Sequence, residues 1–239
     1  MNTVKSICCS LALCFLYWNC TETQAVDHGN RVDTTALNLS LIKEAKQLIH
    51  TGDLVLRTGN DYASDQVKDM SATDKTYSHG GIAVIENNEV YIYHVEPDFN
   101  HINDKVRKEL ADSFFSPRHN LGFAIGRYDL TEPEIAAFTN YLNQQYEKKI
   151  PFDMAFRLNT DDSMYCSEMI KKGLAYSTKN RVQIEIGKIV DKNKYKIIRK
   201  YFKLDDEQIA KARIIPIDHL FLNPDCKILK RYVYIQETK

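Results

Sequence analysis

The stretch HGGIAVIENNEVYIYHV, residues 79–95, contains two β-rich runs and the turn between them. Gly80 to Ile85 and Val90 to Val95 are rich in residues that favour strands, and Glu86-Asn87-Asn88-Glu89 supplies turn residues between the two runs. This pattern predicts a β-hairpin. Further short strands are predicted at residues 53–57, 122–128 and 227–235.

Apolar residues at helical spacing lie before, between and after these strands. They predict helices over residues 41–49, 104–112, 135–146, 166–174 and 205–212. Because strands and helices do not alternate regularly, the predicted fold class is α+β with an antiparallel sheet. Candidate cap residues precede three of the helices: Asn38 or Ser40, the capping box of Thr131 with Glu134, and Asp162 or Ser163.

The N-terminal residues 1–25 have the features of an export signal. Lys5 supplies a positive charge, and residues 7–18 form an uncharged stretch of 12 residues, whereas a membrane span needs about 20. Thr23-Gln24-Ala25 suits ordinary signal cleavage, and lipidation at Cys20 is the alternative. A third interpretation is an uncleaved membrane anchor.

Residues 26–239 are predicted to form one domain. The chain has 239 residues, of which 44% are hydrophobic and 27% charged, enough for one sizeable core. Lys and Arg total 32, as do Asp and Glu, which argues against a nucleic-acid binder that works through bulk positive charge. The lysine-rich stretch 179–213 is interpreted as an insertion without an assigned role.

Two cysteines remain in this domain, Cys166 and Cys226, which is too few for a disulfide framework. Cys166 is predicted in the first turn of a helix, where unpaired N–H groups favour an anion and lower the pKa of a thiol. The same N–H groups could stabilise an oxyanion. A buried structural cysteine, or a bridge between the two cysteines, remains an equal alternative on spacing alone.

Two histidines lie at the same end of the predicted hairpin. His79 directly precedes an apolar strand, where an imidazole can act as a general base. His94 ends the next strand, and either His94 or Glu96 could orient the first imidazole. Taken singly, each histidine is better explained as a structural residue.

His79, His94, His101 and Cys166 carry side chains that could bind zinc. The sequence lacks Cys-x-x-Cys, His-x-x-x-His and His-Glu-x-x-His spacings, and it has no Gly-rich phosphate loop. We therefore predict neither a metal nor a cofactor.

Several segments together resemble the YiiX/YebB-like hydrolases, which are circularly permuted papain-fold enzymes of the NlpC-type superfamily. In this group the histidine-bearing strands precede the cysteine, as they do here. The resemblance spans residues 40 to 225. It is carried by Gly52–Arg57, Tyr77–Val84, Tyr91–His94, Pro151–Asp153, Tyr165–Glu168 and Ile215–Leu220.

The resemblance implies a permuted papain-like fold in which Cys166 is the nucleophile and His79 the general base. The third, polar position of the triad aligns with His94, with Glu96 as the alternative. Candidate substrate-binding residues are Tyr77, Tyr165 and Asp53, although a turn role is favoured for Asp53 and core packing for the two tyrosines.

The function predicted is an exported cysteine hydrolase that cleaves amide bonds of cell-envelope peptides, located in the periplasm or envelope. One alternative is a lipid acyl hydrolase or acyltransferase on the same fold, and membrane association is expected only if Cys20 is lipidated. The other is a non-catalytic envelope-binding domain, which a bridge between Cys166 and Cys226 would favour.

Overall fold

The computed structural model of the protein describes residues 33–97, 104–188, 199–200 and 204–236. The predicted export signal, residues 1–25, and His101 lie outside these ranges. None of the described helices is long and apolar enough to cross a membrane.

The centre of the domain is an antiparallel sheet of six strands. The described strands are β1 Leu54–Gly59, β2 His79–Glu86, β3 Glu89–His94, β4 Arg107–Leu110, β5 Asn120–Tyr128, β6 Gly187–Lys188, β7 Arg213–Ile214 and β8 Cys226–Val233. The sheet order is β4-β3-β2-β1-β5-β8, and β6 pairs separately with β7.

Helices cover both faces of this sheet. They are α1 Thr34–Leu48, α2 Tyr62–Lys68, α3 Ala111–Phe114, α4 Glu132–Glu147, α5 Cys166–Ser177, α6 Asp206–Lys211 and α7 Ile217–Phe221. In β1, Leu54 and Leu56 pack into the core shared with α4, α5 and α7, whereas Val55 packs with α1 and α3. This alternation follows from the two-residue period of a strand. The α+β class with an antiparallel sheet is confirmed.

The predicted hairpin is formed by β2 and β3. Asn87 and Asn88 turn the chain with φ of 50° and 65°, a left-handed conformation that asparagine tolerates better than most residues. Gly81 lies opposite β3, and a Cβ there would be 2.6 Å from Ile92 Cγ2 and 3.2 Å from His94 Cβ. Glycine therefore allows the two strands to approach closely beside His94.

The helix predicted over residues 104–112 is wrong. Residues 107–110 form β4, which pairs with β3 so that Ile92 is opposite Glu109 and His94 opposite Arg107. Only Ala111–Phe114 is helical. Strand pairing has overridden the local helix propensity of this charged segment.

Two predicted helix caps are also wrong. Asp33 caps α1, and the side chain of Asn38 instead hydrogen-bonds the backbone of Ile235. Tyr165, rather than Asp162 or Ser163, is the N-cap of α5. The capping box of Thr131 with Glu134 is confirmed at α4.

The described parts of the lysine-rich stretch 179–213 contribute to the core shared with α4, α5 and α7. The buried side chains of this stretch are Val182, Ile184, Leu204 and Ile209.

Candidate active site

Cys166 is the first residue of α5, directly after the N-cap Tyr165. Its side chain is buried, and the backbone N–H groups of Gly80 and Ser167 lie close enough to the sulfur to favour its charged form. Gly80 belongs to β2, the strand that begins with His79. The fold therefore brings the start of the cysteine helix to the start of the histidine strand.

The pKa of the Cys166 thiol is raised, not lowered as the sequence predicted. Burial raises the pKa of this thiol to about 11, and the N–H groups of Gly80 and Ser167 offset only part of that effect. Burial, together with the positive charge of Arg57, holds the pKa of the His79 imidazole well below its ordinary value. At neutral pH the site therefore contains a thiol and a neutral imidazole, not a preformed ion pair.

His79 is the first member of a hydrogen-bonded chain of three side chains, of which the two imidazoles are buried. Its Nε2 lies 2.9 Å from Nδ1 of His94, and Nε2 of His94 lies 3.0 Å from a carboxylate oxygen of Glu109. The ring of Phe114 packs against both imidazoles, with centroid distances of 5.8 Å to His79 and 5.0 Å to His94. Glu109 was not among the predicted site residues.

Glu96, the alternative partner of His79, lies farther away. Its Oε2 is 3.9 Å from Nε2 of His79, beyond hydrogen-bond distance. Arg57 donates to Oε2, and Arg107 donates to Oε1 at 2.5 Å. Burial opposes ionisation of this carboxyl, but the positive charges of Arg57 and Arg107 hold its pKa well below the usual range. Both carboxylate oxygens are therefore engaged by guanidinium groups.

A small pocket of about 70 Å³ opens beside Cys166 and His79. Most of its wall is apolar, and Tyr165 forms part of it. The Tyr165 hydroxyl accepts a hydrogen bond from the backbone N–H of Ile215 at 3.0 Å. The other apolar residues of the wall include Val67, Met70, Phe152, Phe156, Ile214 and Ile217.

The remaining two predicted substrate-binding residues point elsewhere. Asp53 is buried in an ion pair with Arg127, and it accepts a hydrogen bond from the backbone N–H of His50. The hydroxyl of Tyr77 accepts a hydrogen bond from Arg231 at 2.9 Å. Neither residue lines the pocket beside the thiol, so the structure supports packing and turn roles for both.

Both cysteines of the domain are free thiols in the structure. Cys226 begins β8, and its sulfur lies beside Gly126 of β5. The bridge that would have favoured a non-catalytic domain is not formed.

His79, His94 and Glu96 offer ligand atoms within 4.8 Å of one another, as a metal site requires. The neighbouring charges do not suit a cation, because Arg57 and Arg107 occupy both oxygens of Glu96. One nitrogen of His94 is also bound to Glu109. The described side chains therefore fit a hydrogen-bonded chain better than a metal site.

A buried cysteine at a helix start beside an imidazole on an antiparallel sheet defines a papain-like cysteine hydrolase, here with the histidine strand first. A sequence model of the family described as permuted papain-like amidase enzymes, YaeF/YiiX, C92 family, matches residues 48–210. The chain belongs to this family. The predicted resemblance, permuted fold and cysteine peptidase or amidase class are confirmed.

A solved structure shows the same fold. It is the metalloprotein YiiX from Escherichia coli O157:H7, which is 17% identical and superposes with a TM-score of 0.62. The alignment covers 76% of this chain and 97% of that chain. No curated protein matches the sequence.

Proposed function

We propose that this protein is an exported cysteine hydrolase that cleaves amide bonds in cell-envelope peptides. In this proposal Cys166 is the nucleophile, His79 the general base and His94 the residue that orients His79. The observation that carries it is the hydrogen-bonded chain that ends at His79, on the wall of the pocket that contains the thiol. The position of Glu96 between Arg57 and Arg107 favours His94 over Glu96 as the third residue.

The reaction begins with two neutral groups. Nε2 of His79 contacts His94, so Nδ1 is the nitrogen that can take the proton from Cys166 as the sulfur attacks the carbonyl carbon. The proton on His79 then passes to the leaving amine as the C–N bond breaks. Water, deprotonated by His79, hydrolyses the resulting thioester and restores the thiol.

The N–H groups of Gly80 and Ser167 favour the thiolate as it forms, because N–H donors beside the sulfur stabilise its negative charge. Their contribution increases as negative charge develops on the sulfur. This arrangement stabilises the charged form without requiring a thiolate in the resting enzyme.

The envelope location and the peptide substrate rest on the predicted export signal and on the resemblance to NlpC-type enzymes. The apolar wall of the pocket gives specific support to the second candidate, an enzyme that acts on lipid acyl groups. Both candidates use the same nucleophile and base, and they differ in the bond that is cleaved.

Alkylation by iodoacetamide tests the pair of residues without a known substrate. At pH 7.5 we expect Cys166 to react faster than Cys226, whose pKa burial raises to about 12. The substitution His79→Ala removes the base and should slow alkylation of Cys166 by about tenfold or more, as expected for loss of general-base catalysis. His50→Ala removes an exposed histidine and serves as the control. Equal, slow reaction of both cysteines would contradict the mechanism.

Product analysis separates the two candidate substrates. The purified protein is incubated with envelope peptides and, separately, with phospholipid vesicles, and Cys166→Ala is the control. Release of amine that Cys166→Ala abolishes supports the amidase. Release of fatty acid without release of amine would contradict the amidase and support the lipid acyl hydrolase.

A further inference from the structure

We propose that Glu109 is a positioning residue for this site: by accepting a hydrogen bond from His94 it fixes the tautomers of both imidazoles, so that His79 presents a lone pair to Cys166. This inference rests on the proposed function of His79 as the general base. It adds a positioning residue on β4, two strands away from β2, which begins with His79.

Strand register places Glu109 where this role requires it. Glu109 is paired with Ile92 in the β3–β4 ladder, so its side chain lies on the same face of the sheet as Ile92 and His94. The side chain of His94 has no exposed surface, and that of Glu109 is 33% exposed. The partly exposed carboxylate of Glu109 therefore accepts a hydrogen bond from a fully buried imidazole.

The charge state of Glu109 determines the first tautomer. Burial opposes ionisation, but the hydrogen bond from His94 lowers the pKa of the Glu109 carboxyl below its ordinary value. An ionised carboxylate only accepts hydrogen bonds, so Nε2 of His94 carries the proton at the 3.0 Å contact. Nδ1 of His94 is consequently an acceptor.

The second tautomer follows from the first. The 2.9 Å contact between Nδ1 of His94 and Nε2 of His79 needs one proton, and His79 must supply it. With the proton on Nε2, Nδ1 of His79 carries a lone pair. That nitrogen can then take the proton of Cys166.

The opposite tautomer of His94 would disable the base. If Nδ1 of His94 carried the proton, it would donate to Nε2 of His79, and the proton of His79 would move to Nδ1. His79 would then present an N–H to the thiol instead of a lone pair. Glu96 is a poor substitute for Glu109, because its oxygens accept from Arg57 and Arg107.

Nitrogen NMR of the histidine rings tests the tautomers directly. In the wild type at pH 7.5 we expect His79 and His94 both as Nε2–H tautomers, with signals assigned through His79→Gln and His94→Gln. In Glu109→Ala the Nδ1–H form of both rings should become populated. Glu109→Gln keeps an oxygen acceptor of the same shape, so it should retain the wild-type tautomers in larger part than Glu109→Ala.

The same variants are assayed for alkylation of Cys166 by iodoacetamide between pH 6 and 9. Glu109→Ala should slow the reaction by roughly 10- to 100-fold at neutral pH, by analogy with the loss of the partner that orients a metal-bound histidine. Glu86→Gln is the control, because Glu86 is similarly exposed but bonds Tyr93 and Lys108. The charged and titratable neighbours of the imidazole pair that shape this pH profile are Arg57, Glu96, Arg107 and Glu109.

The outcomes separate this inference from the proposed function. If His79→Ala leaves alkylation of Cys166 unchanged, the proposed function fails, and the ring tautomers still report on Glu109. Alkylation of Cys166 that depends on His79, with ring tautomers and rates unchanged in Glu109→Ala and in Glu109→Gln, would overturn the role of Glu109. The proposed roles of Cys166 and His79 would then remain. An equal loss of rate in Glu86→Gln would likewise overturn the role of Glu109.

Discussion

Glu168 lies in the first turn of α5, two residues after the nucleophile proposed here. Its side chain has no exposed surface, and its Oε1 is 2.9 Å from the ammonium nitrogen of Lys172. Burial nevertheless raises the pKa of this carboxyl to about 7. The folded protein thus holds this proton more tightly than the unfolded chain, in which the carboxyl titrates near pH 4.5. The stabilising contribution is complete below about pH 4.5 and is lost as the pH rises through 7.

Glu168→Gln should therefore flatten the pH dependence of stability. In the wild type, ionisation of Glu168 should lower the free energy of unfolding between pH 5 and 8 by on the order of 2 kcal/mol. Glu168→Gln should lack this loss, because glutamine stays neutral. Urea unfolding at several pH values measures this difference. Glu147→Gln, at an exposed position of α4, is the control. A steep pH dependence that persists in Glu168→Gln would contradict the assignment.

At the residue scale, the sequence identified the groups that have a local signal. Cys166 precedes a helical pattern, and His79 and His94 lie at one end of a hairpin whose turn is recognisable. Glu109 has no such signal, because its partner is chosen by the register of two strands. The pKa of Cys166 was predicted in the wrong direction, since burial outweighs the helix terminus and burial is not visible in a local pattern.

At the element scale, the hairpin of β2 and β3 depends on Gly81. A Cβ at this position would lie 2.6 Å from Ile92 Cγ2 and 2.9 Å from the carbonyl oxygen of Tyr93, and a backbone oxygen cannot move aside as a side chain does. Gly81→Ala should lower the free energy of unfolding by about 1–3 kcal/mol. It should also slow alkylation of Cys166, because His94 lies on the strand that is pushed away.

The neighbouring glycine provides the matched control for stability. A Cβ at Gly80 would make ordinary contacts, 3.4 Å from Leu56 and 3.5 Å from Ile170. Urea unfolding of Gly80→Ala should therefore show a much smaller change than that of Gly81→Ala. Equal losses in both variants would mean that the close approach of β3 is not what requires glycine.

Elements with strong local rules were predictable from the sequence, and elements defined by pairing were not. The capping box at Thr131 and the turn at Asn87-Asn88 fix their own geometry. Residues 107–110, Arg-Lys-Glu-Leu, carry helix-forming side chains, yet they form β4 because β3 presents a free edge to them. Because these residues were predicted as a helix, Glu109 was not recognised as a neighbour of His94.

At the scale of the whole molecule, side chains of earlier elements tie backbone groups in the last twenty residues to distant parts of the chain. Asn38 of α1 both donates to and accepts from the backbone of Ile235. The hydroxyl of Tyr128 donates to the carbonyl of Leu220 at 2.7 Å. These partners are separated by 197 and 92 residues. No local sequence pattern predicts such contacts. The packing of the C-terminal elements against α1 and β5 therefore could not be predicted from the sequence.

Asp218 of α7 ties this helix to the segment that precedes β2. Its buried carboxylate accepts the backbone N–H groups of Thr73 at 2.7 Å and Asp74 at 3.2 Å, in the segment that leads to His79. Asp218→Ala leaves these two donors without their acceptor, which should cost about 1–3 kcal/mol of unfolding free energy. It should also speed amide hydrogen exchange at Thr73 and Asp74.

Asp218→Asn separates the hydrogen bonds from simple packing. Asparagine keeps one oxygen that can accept from Thr73 and Asp74, so it should restore more than half of the stability lost in Asp218→Ala and slow their amide exchange again. Urea unfolding and exchange measured by NMR give the two quantities. Exchange at Thr73 and Asp74 that is unchanged in Asp218→Ala would show that other contacts hold the segment that precedes His79.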